Sequence, residues 1–280
     1  MAAASRAKAA RLRRMLTIVV APVGVVVAIV AIFVVVKASR GSSAKQGQGA
    51  TTAAAAVISD VTGVPAAVLD AVGVGSVTTL PKAQSGPPLT AGGLPQVLYV
   101  GAEFCPYCAA ERWGLVVALS RFGTFTNLGQ TASSPNDVYP NTATLDFHGA
   151  SYTSAYLSFT GKEVETNTPA PGGGYTALDT LTPAEQSLFT SVGGGSFPFV
   201  DLGGKYVITG ASYLPSVLAG KTHGQIAAAL ADASSSIARA VDGTANLVTA
   251  ALCASTANRP APVCTSSGVV AARAKLGATS

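Results

Sequence analysis

Two cysteines separated by two residues, Cys105-Pro106-Tyr107-Cys108, are the part of this 280-residue sequence best equipped to do chemistry. Two intervening residues span one helical turn, so a helix starting here holds both sulfurs within bonding distance. Cys105 then sits at the helix N-terminus, where unpaired backbone N–H groups and the helix dipole stabilise a thiolate. Motifs of this type lower the thiol pKa from ~8.5 into the range of roughly 3.5–7.5. Cys108, one turn further in and more buried, is placed to resolve a mixed disulfide, so the chemistry on offer is thiol–disulfide exchange. Two other arrangements use the same residues: an inert structural disulfide, or half of a zinc site completed by Cys253 and Cys264. Against zinc stands the position of the motif, at the junction of a buried strand and a helix rather than between polar turns.

The remaining chemistry-bearing residues are fewer. Cys253 and Cys264 bracket a loop with three turn-forming residues, Asn258, Pro260 and Pro262. A structural disulfide closing that loop is worth roughly 2–4 kcal/mol in the chain-entropy picture; a redox relay to Cys105 is the competing role. His148 reads as part of a turn and His223 as a helix start, and two distant histidines support no metal cluster, so neither metal nor cofactor is expected. Trp113 reads as core, and Tyr152 and Tyr156 as one strand face.

Elements that could hold the dithiol surround it. Residues 96–102 form a continuously apolar run, the pattern of a strand buried on both faces. Cys105 follows at once, Pro106 can occupy the first helical turn, and residues 109–121 continue with helical spacing. Residues 122–128 can supply a parallel return strand. Residues 131–180 read as a β-rich insertion, with a hairpin of 144–147 and 152–157 around His148-Gly149. Thr182-Pro183-Ala184-Glu185 spells a capping box for a helix running to about Val192. Two apolar strands joined by Gly203-Gly204 make a tight hairpin signal, with Pro198 at the entrance to the first. Thr222-His223-Gly224-Gln225 opens an Ala-rich helix through residue 241. Before the domain, residues 64–72 read as a short helix ending at Gly73, inside an N-terminal extension over 57–95; residues 246–280 form a C-terminal extension.

Charge is distributed by segment. Residues 1–45 hold eight basic side chains and no acidic one, which leaves 10 basic against 13 acidic residues in the rest, a net charge of −3. No basic surface for a phosphate backbone is evident there, so nucleic acid is not an expected partner. The basicity belongs to targeting: residues 1–15 form a basic terminus, and 16–36 an apolar segment of 21 residues, enough to span a ~30 Å hydrocarbon core. Five positive charges precede this segment and three follow it, so the positive-inside rule favours a cytoplasmic N-terminus with residues 37–280 outside. Cleavage after Ala38 is the rival reading; the apolar run exceeds the ~7–15 residues usual in a signal peptide, which favours a single-pass anchor in the cell membrane. Residues 37–56, rich in Ser, Gly, Ala and Gln, read as a flexible tether. An even cysteine count fits an oxidising compartment.

Counting from Gln96, the order strand, helix, strand, insertion, helix, strand, turn, strand, helix resembles a thioredoxin-like α/β fold over residues 96–245. The run ending Ala102-Glu103-Phe104-Cys105-x-x-Cys108 is similar to the active-site strand and loop of thioredoxin-like oxidoreductases. Phe197-Pro198-Phe199 resembles their cis-proline segment, and Pro106-Tyr107 is the inner dipeptide of glutaredoxins. With its membrane segment and second cysteine pair, the chain also looks like an uncharacterised membrane-anchored thioredoxin-like family of actinobacteria and archaea, a domain of unknown function. The resemblance implies catalytic Cys105 and Cys108 with Pro198 facing them, and Glu103 as a candidate proton acceptor for Cys108. It implies protein thiols or disulfides as substrates and a separate redox-recycling partner. Gly101 and Phe104 stand where thioredoxin has tryptophans, and the insertion reads as strands where the envelope's disulfide-forming oxidases have helices, so substrate choice does not carry over. The competing function is a non-catalytic thioredoxin-like binding or envelope-organising module with inert disulfides.

Overall fold

The structure, a computed structural model, describes residues 54–277. The expected membrane segment at 16–36, the basic terminus and the tether up to residue 53 lie outside the described residues. Among the described residues no single helix is long and apolar enough to cross a membrane. Helix α1 (Ala54–Thr62) takes in the last three residues of the stretch read as tether. Helix α2 (Ala66–Val72) starts after Pro65 and ends at Gly73, whose φ of 58° suits glycine. Val57, Val61 and Leu69 of these two helices are buried in the main core.

Strand β3 (Leu94–Gly101) is the centre of a mixed sheet. Its side chains alternate between two cores, as a period of two requires. Val97 and Tyr99 join the larger core with Trp113, while Leu98 and Val100 join a smaller one with Phe189, Phe199 and Val207. Burial on both faces is why the stretch reads as unbroken apolar sequence. β3 pairs in parallel with β8 (Ser158–Glu163) on one side and antiparallel with β11 (Phe199–Leu202) on the other. β11 continues into β12 (Tyr206–Thr209) through Gly203 and Gly204, both at φ 72°, and β1 (Lys82–Ala83) lies beyond β12. β2 (Thr90–Ala91) pairs with the first two residues of β3. The main path is therefore β8-β3-β11-β12, with only the first pair parallel.

The return strand is not residues 122–128, as the sequence suggests. That stretch forms β4 (Gly123–Thr126), which pairs antiparallel with β7 (Ser151–Ser154). Nested inside this pair, β5 (Gly129–Ala132) pairs with β6 (Ala143–Asp146), so the hairpin expected around His148-Gly149 does not form. The polar Ser158-Phe159-Thr160-Gly161-Lys162-Glu163 takes the place beside β3 because a strand with a single partner needs no continuous apolar run. Gly161 is required there, since a Cβ would lie 2.7 Å from that of Phe147. The nested pairs are tied to the dithiol helix α3 (Pro106–Ser120) by three hydrogen bonds, Trp113 Nε1 to Ala143 O, Thr144 Oγ1 to Ala109 O and Tyr152 OH to Leu119 O, and to the residues just after it by a fourth, Ser154 Oγ to Phe122 O.

β9 (Glu165–Pro169) and β10 (Tyr175–Ala177) form a further antiparallel pair before α4 (Pro183–Ser191), which carries the expected capping box between Thr182 and Glu185. The second capping box, Thr222 with Gln225, opens only a short helix, α5 (His223–Ala229). The expected single helix breaks because Asp232 Oδ1 accepts from the N–H and hydroxyl of Ser234, and Ser235 then caps a new helix, α6 (Ser236–Ser255). α6 packs along α3, where a Cβ on Gly114 would lie 2.5 Å from Thr244 Cγ2; glycine lets the two axes approach closely.

Cys253, in the last turn of α6, is bonded to Cys264 in the short helix α7 (Ala261–Cys264), and both are fully buried beside the last helix, α8 (Ser267–Lys275). The crosslink spans 11 residues, and replacing both cysteines by serine is expected to cost about 2–4 kcal/mol, measured as a lower urea midpoint. An unchanged midpoint would show that α7 and α8 hold without it.

Candidate functional site

β3 ends at Gly101, and its main chain is immediately clamped. Gly101 O accepts from Val164 N at 2.8 Å, Glu103 N donates to Glu165 O at 2.9 Å, and Phe104 O accepts from Ser134 N at 2.9 Å. Cys105 is the N-cap of α3, with Pro106 at the first helical position, as the sequence implies. Its Sγ accepts from Cys108 N at 3.4 Å. Both thiols are free; Cys105 is 8% exposed and Cys108 fully buried.

The two sulfurs are electrostatically unlike. The Cys108 thiol donates to Cys105, and this bond, with the N–H groups of Cys108 and Tyr107 and the Arg112 guanidinium, outweighs desolvation and lowers the Cys105 pKa. Burial pushes the Cys108 thiol well up, and the Cys105 sulfur adds to that shift. One sulfur is thus prepared to be an anion while the other keeps its proton.

Beneath them lies a pair that the sequence reading missed. Arg112, one turn beyond Cys108, places Nε 2.7 Å from Glu163 Oε1 and Nη2 2.5 Å from Glu163 Oε2, with both side chains fully buried. Nη2 also donates to Ala102 O at 2.8 Å, the carbonyl that accepts from Cys105 N. The guanidinium carbon lies 5.8 Å from the Tyr99 ring centre. Burial raises the Glu163 carboxyl and the guanidinium lowers it, while the carboxylate and its neighbours keep Arg112 charged. Among the described residues Arg112 Nη1 and the Tyr99 hydroxyl have no hydrogen-bond partner. The legible signal was two adjacent charged residues, Glu111 and Arg112, inside an otherwise apolar helix.

Glu103, the expected proton acceptor, is taken up elsewhere. Its Oε2 accepts from Asn167 N at 3.1 Å, and burial together with Asp146 raises its pKa. The carboxylate that acts on Cys108 is Glu163.

The Phe197–Pro198 bond is cis, and Pro198 is buried. The register Phe199 to Val100 sets Pro198 one step further along, at the level of Gly101. Its carbonyl accepts from Gly210 N at 2.8 Å. Phe197 meets Phe104 edge-on at 6.3 Å between ring centres, and Phe104 stacks on Tyr175 at 4.2 Å. Tyr107, inside the motif, meets Tyr139 edge-on at 6.0 Å between ring centres, and Val138 next to Tyr139 is 72% exposed.

The Cys253–Cys264 bond removes both residues from any zinc site with Cys105 and Cys108. Among the described residues no group of three metal-ligating side chains is found. His148 is exposed in a turn with Nδ1 2.9 Å from Asp179 Oδ1, and His223 lies at the start of α5, its Nε2 2.8 Å from Thr131 O.

Residues 82–177 match the family model of a domain of unknown function, DUF929. No curated protein and no solved structure matches the chain. The matched segment runs from β1 through β10 and contains both cysteines of the motif together with Arg112 and Glu163. Pro198, the β11–β12 hairpin and the Cys253–Cys264 bond lie beyond it.

Proposed function

We propose that the chain is a thioredoxin-like thiol:disulfide oxidoreductase, anchored through residues 16–36 and acting on protein thiols or disulfides outside the cytoplasmic membrane. The observation that carries this reading is Cys105 at the N-cap of α3 with Cys108 one turn deeper, at the end of the central strand of a mixed sheet ordered β8-β3-β11-β12. In the exchange step the Cys105 thiolate attacks a substrate sulfur, forming one S–S bond as the substrate's own breaks and its leaving thiolate takes a proton. Cys108 then gives up its proton and attacks Cys105, releasing the second substrate thiol. Two electrons pass to the substrate, and the reverse sequence oxidises a dithiol. A separate partner returns the motif to its starting state.

The expected result is a single two-electron couple when the full chain in detergent is equilibrated with reduced and oxidised glutathione. Cys105→Ser abolishes exchange, and Cys108→Ser accumulates a mixed disulfide. Wild-type protein that never equilibrates would refute the reading. One observation favours a non-catalytic thioredoxin-like module instead: Cys105 is only 8% exposed. Alkylation of the reduced chain separates the two, since an inert thiol resists iodoacetamide until the protein unfolds.

A further inference from the structure

Thiol–disulfide exchange places negative charge on each sulfur in turn, including one whose setting opposes it. Cys108 is an extreme case: no part of it is exposed, and burial drives its thiol strongly towards the protonated form. Yet resolving a mixed disulfide needs sulfur at this position to carry charge as it attacks and as it leaves.

Arg112 lies four residues after Cys108, on the same face of α3. Its carboxylate partner comes from the end of β8, where Glu163 is paired in register with Gly101 of β3. The guanidinium therefore joins three elements: the dithiol helix, the end of the central strand through Ala102 O, and the neighbouring strand through Glu163. Glu163 N in turn donates to Asp179 Oδ2 at 2.9 Å, which holds the end of β8. Two fully buried donors remain unspent in this cluster, Arg112 Nη1 and the Tyr99 hydroxyl. A side chain at Gly101 would run into that hydroxyl, so glycine makes the room it occupies. The ionisable groups acting on the two sulfurs are Tyr99 from β3, Arg112 from α3 and Glu163 from β8, with Asp146 and Glu103 further out acting on Glu163.

We infer that Arg112 is a positioning residue that sets the direction of exchange: its anchored guanidinium stabilises anionic sulfur at the buried dithiol, favouring the reduced motif and so oxidation of substrate dithiols. This rests on the exchange reading above. In the forward direction the Cys105–Cys108 bond breaks, a substrate disulfide forms, and two electrons and two protons leave the substrate. The motif keeps the electrons, and one proton is released wherever Cys105 remains a thiolate. Re-oxidation requires a partner protein's disulfide to accept the two electrons.

Opposite substitutions in the pair test this. In the full chain, Arg112→Met is expected to shift the glutathione equilibrium about tenfold towards the disulfide, or ~30 mV for a two-electron couple. Its iodoacetamide reactivity should also move to higher pH. Glu163→Gln keeps the shape of the pair and a hydrogen-bonding oxygen while removing the countercharge, so it is expected to shift both readouts the other way. If Arg112→Met fails to fold, the double variant Arg112→Met with Glu163→Met replaces the buried pair by apolar groups and should move in the same direction as Arg112→Met. A merely structural pair would move both single variants alike, or neither by more than twofold, and either outcome overturns the role of Arg112. A wild type that never equilibrates with glutathione overturns the exchange reading and this inference with it, a result distinguishable from the variant outcomes.

Discussion

Glu163→Ala is expected to destabilise the domain by about 3–5 kcal/mol, a fall of about 1–2 M in the urea midpoint. The reason is the partner left behind. A guanidinium cannot shed its proton to escape burial, and Arg112 is fully buried. Without Glu163 it keeps one hydrogen bond, to Ala102 O, while Nη1 already has none. The full cost of an unpaired buried charge then falls on the folded state. Because the same carbonyl accepts from Cys105 N, the turn carrying the dithiol loosens too. Replacing both residues by leucine removes the charge together with its partner and should recover most of the loss. A single variant within 1 kcal/mol of wild type would show that water or a rearranged neighbour reaches the guanidinium.

Asp242→Asn is expected to stabilise the domain on the order of 4 kcal/mol at pH 8 and hardly at all at pH 4. Asp242 sits inside α6, neither carboxyl oxygen has a hydrogen-bond partner among the described residues, and burial raises its pKa to about 8. In the unfolded chain the same group titrates near ~3.9. Below that value both states hold the proton and ionisation costs the fold nothing. As pH rises the unfolded chain releases the proton while the folded one must retain it, so stability falls until about pH 8 and then levels off. Each pH unit in that window is worth about 1.4 kcal/mol at most. Glu111, buried and raised to about 7 although Ser212 donates to it, adds a slope of the same sign, and the buried Tyr213 hydroxyl feels both carboxyls. Urea midpoints at the two pH values decide the matter; an equal change at both would mean that Asp242 titrates in the fold as it does in the unfolded chain.

Part of this architecture was plain in the residues. Val97 to Val100 announced a strand buried on both faces, Thr182 and Thr222 announced their caps, and Gly203-Gly204 its turn, because each signal is local and acts through the chain's own backbone. The helix beginning at Cys105 and Pro106 belongs with these. The return strand did not, since Ser158–Glu163 is polar and enters the sheet only because β3 offers an unpaired edge. Residues 122–128 looked more suitable and paired instead with β7.

The candidate site divides along the same line. By itself the sequence determined the motif and its helical register, since two residues between cysteines and a proline at the first turn leave little choice of local geometry. The cysteine pair near the C-terminus was equally local, closing a loop of turn-forming residues. Only the tertiary structure decided what surrounds the sulfurs. Arg112 and Glu163 stand 51 positions apart, and nothing in either neighbourhood names the other as partner. Their meeting depends on β8 running parallel to β3, a pairing across a long crossover that local signals do not encode. Glu103, close to the dithiol in sequence, turns instead towards Asn167 and Asp146 because its strand ends there. Electrostatic influence follows distance through the folded interior rather than distance along the chain, so the charges that govern Cys105 and Cys108 exist as a site only once the sheet has assembled.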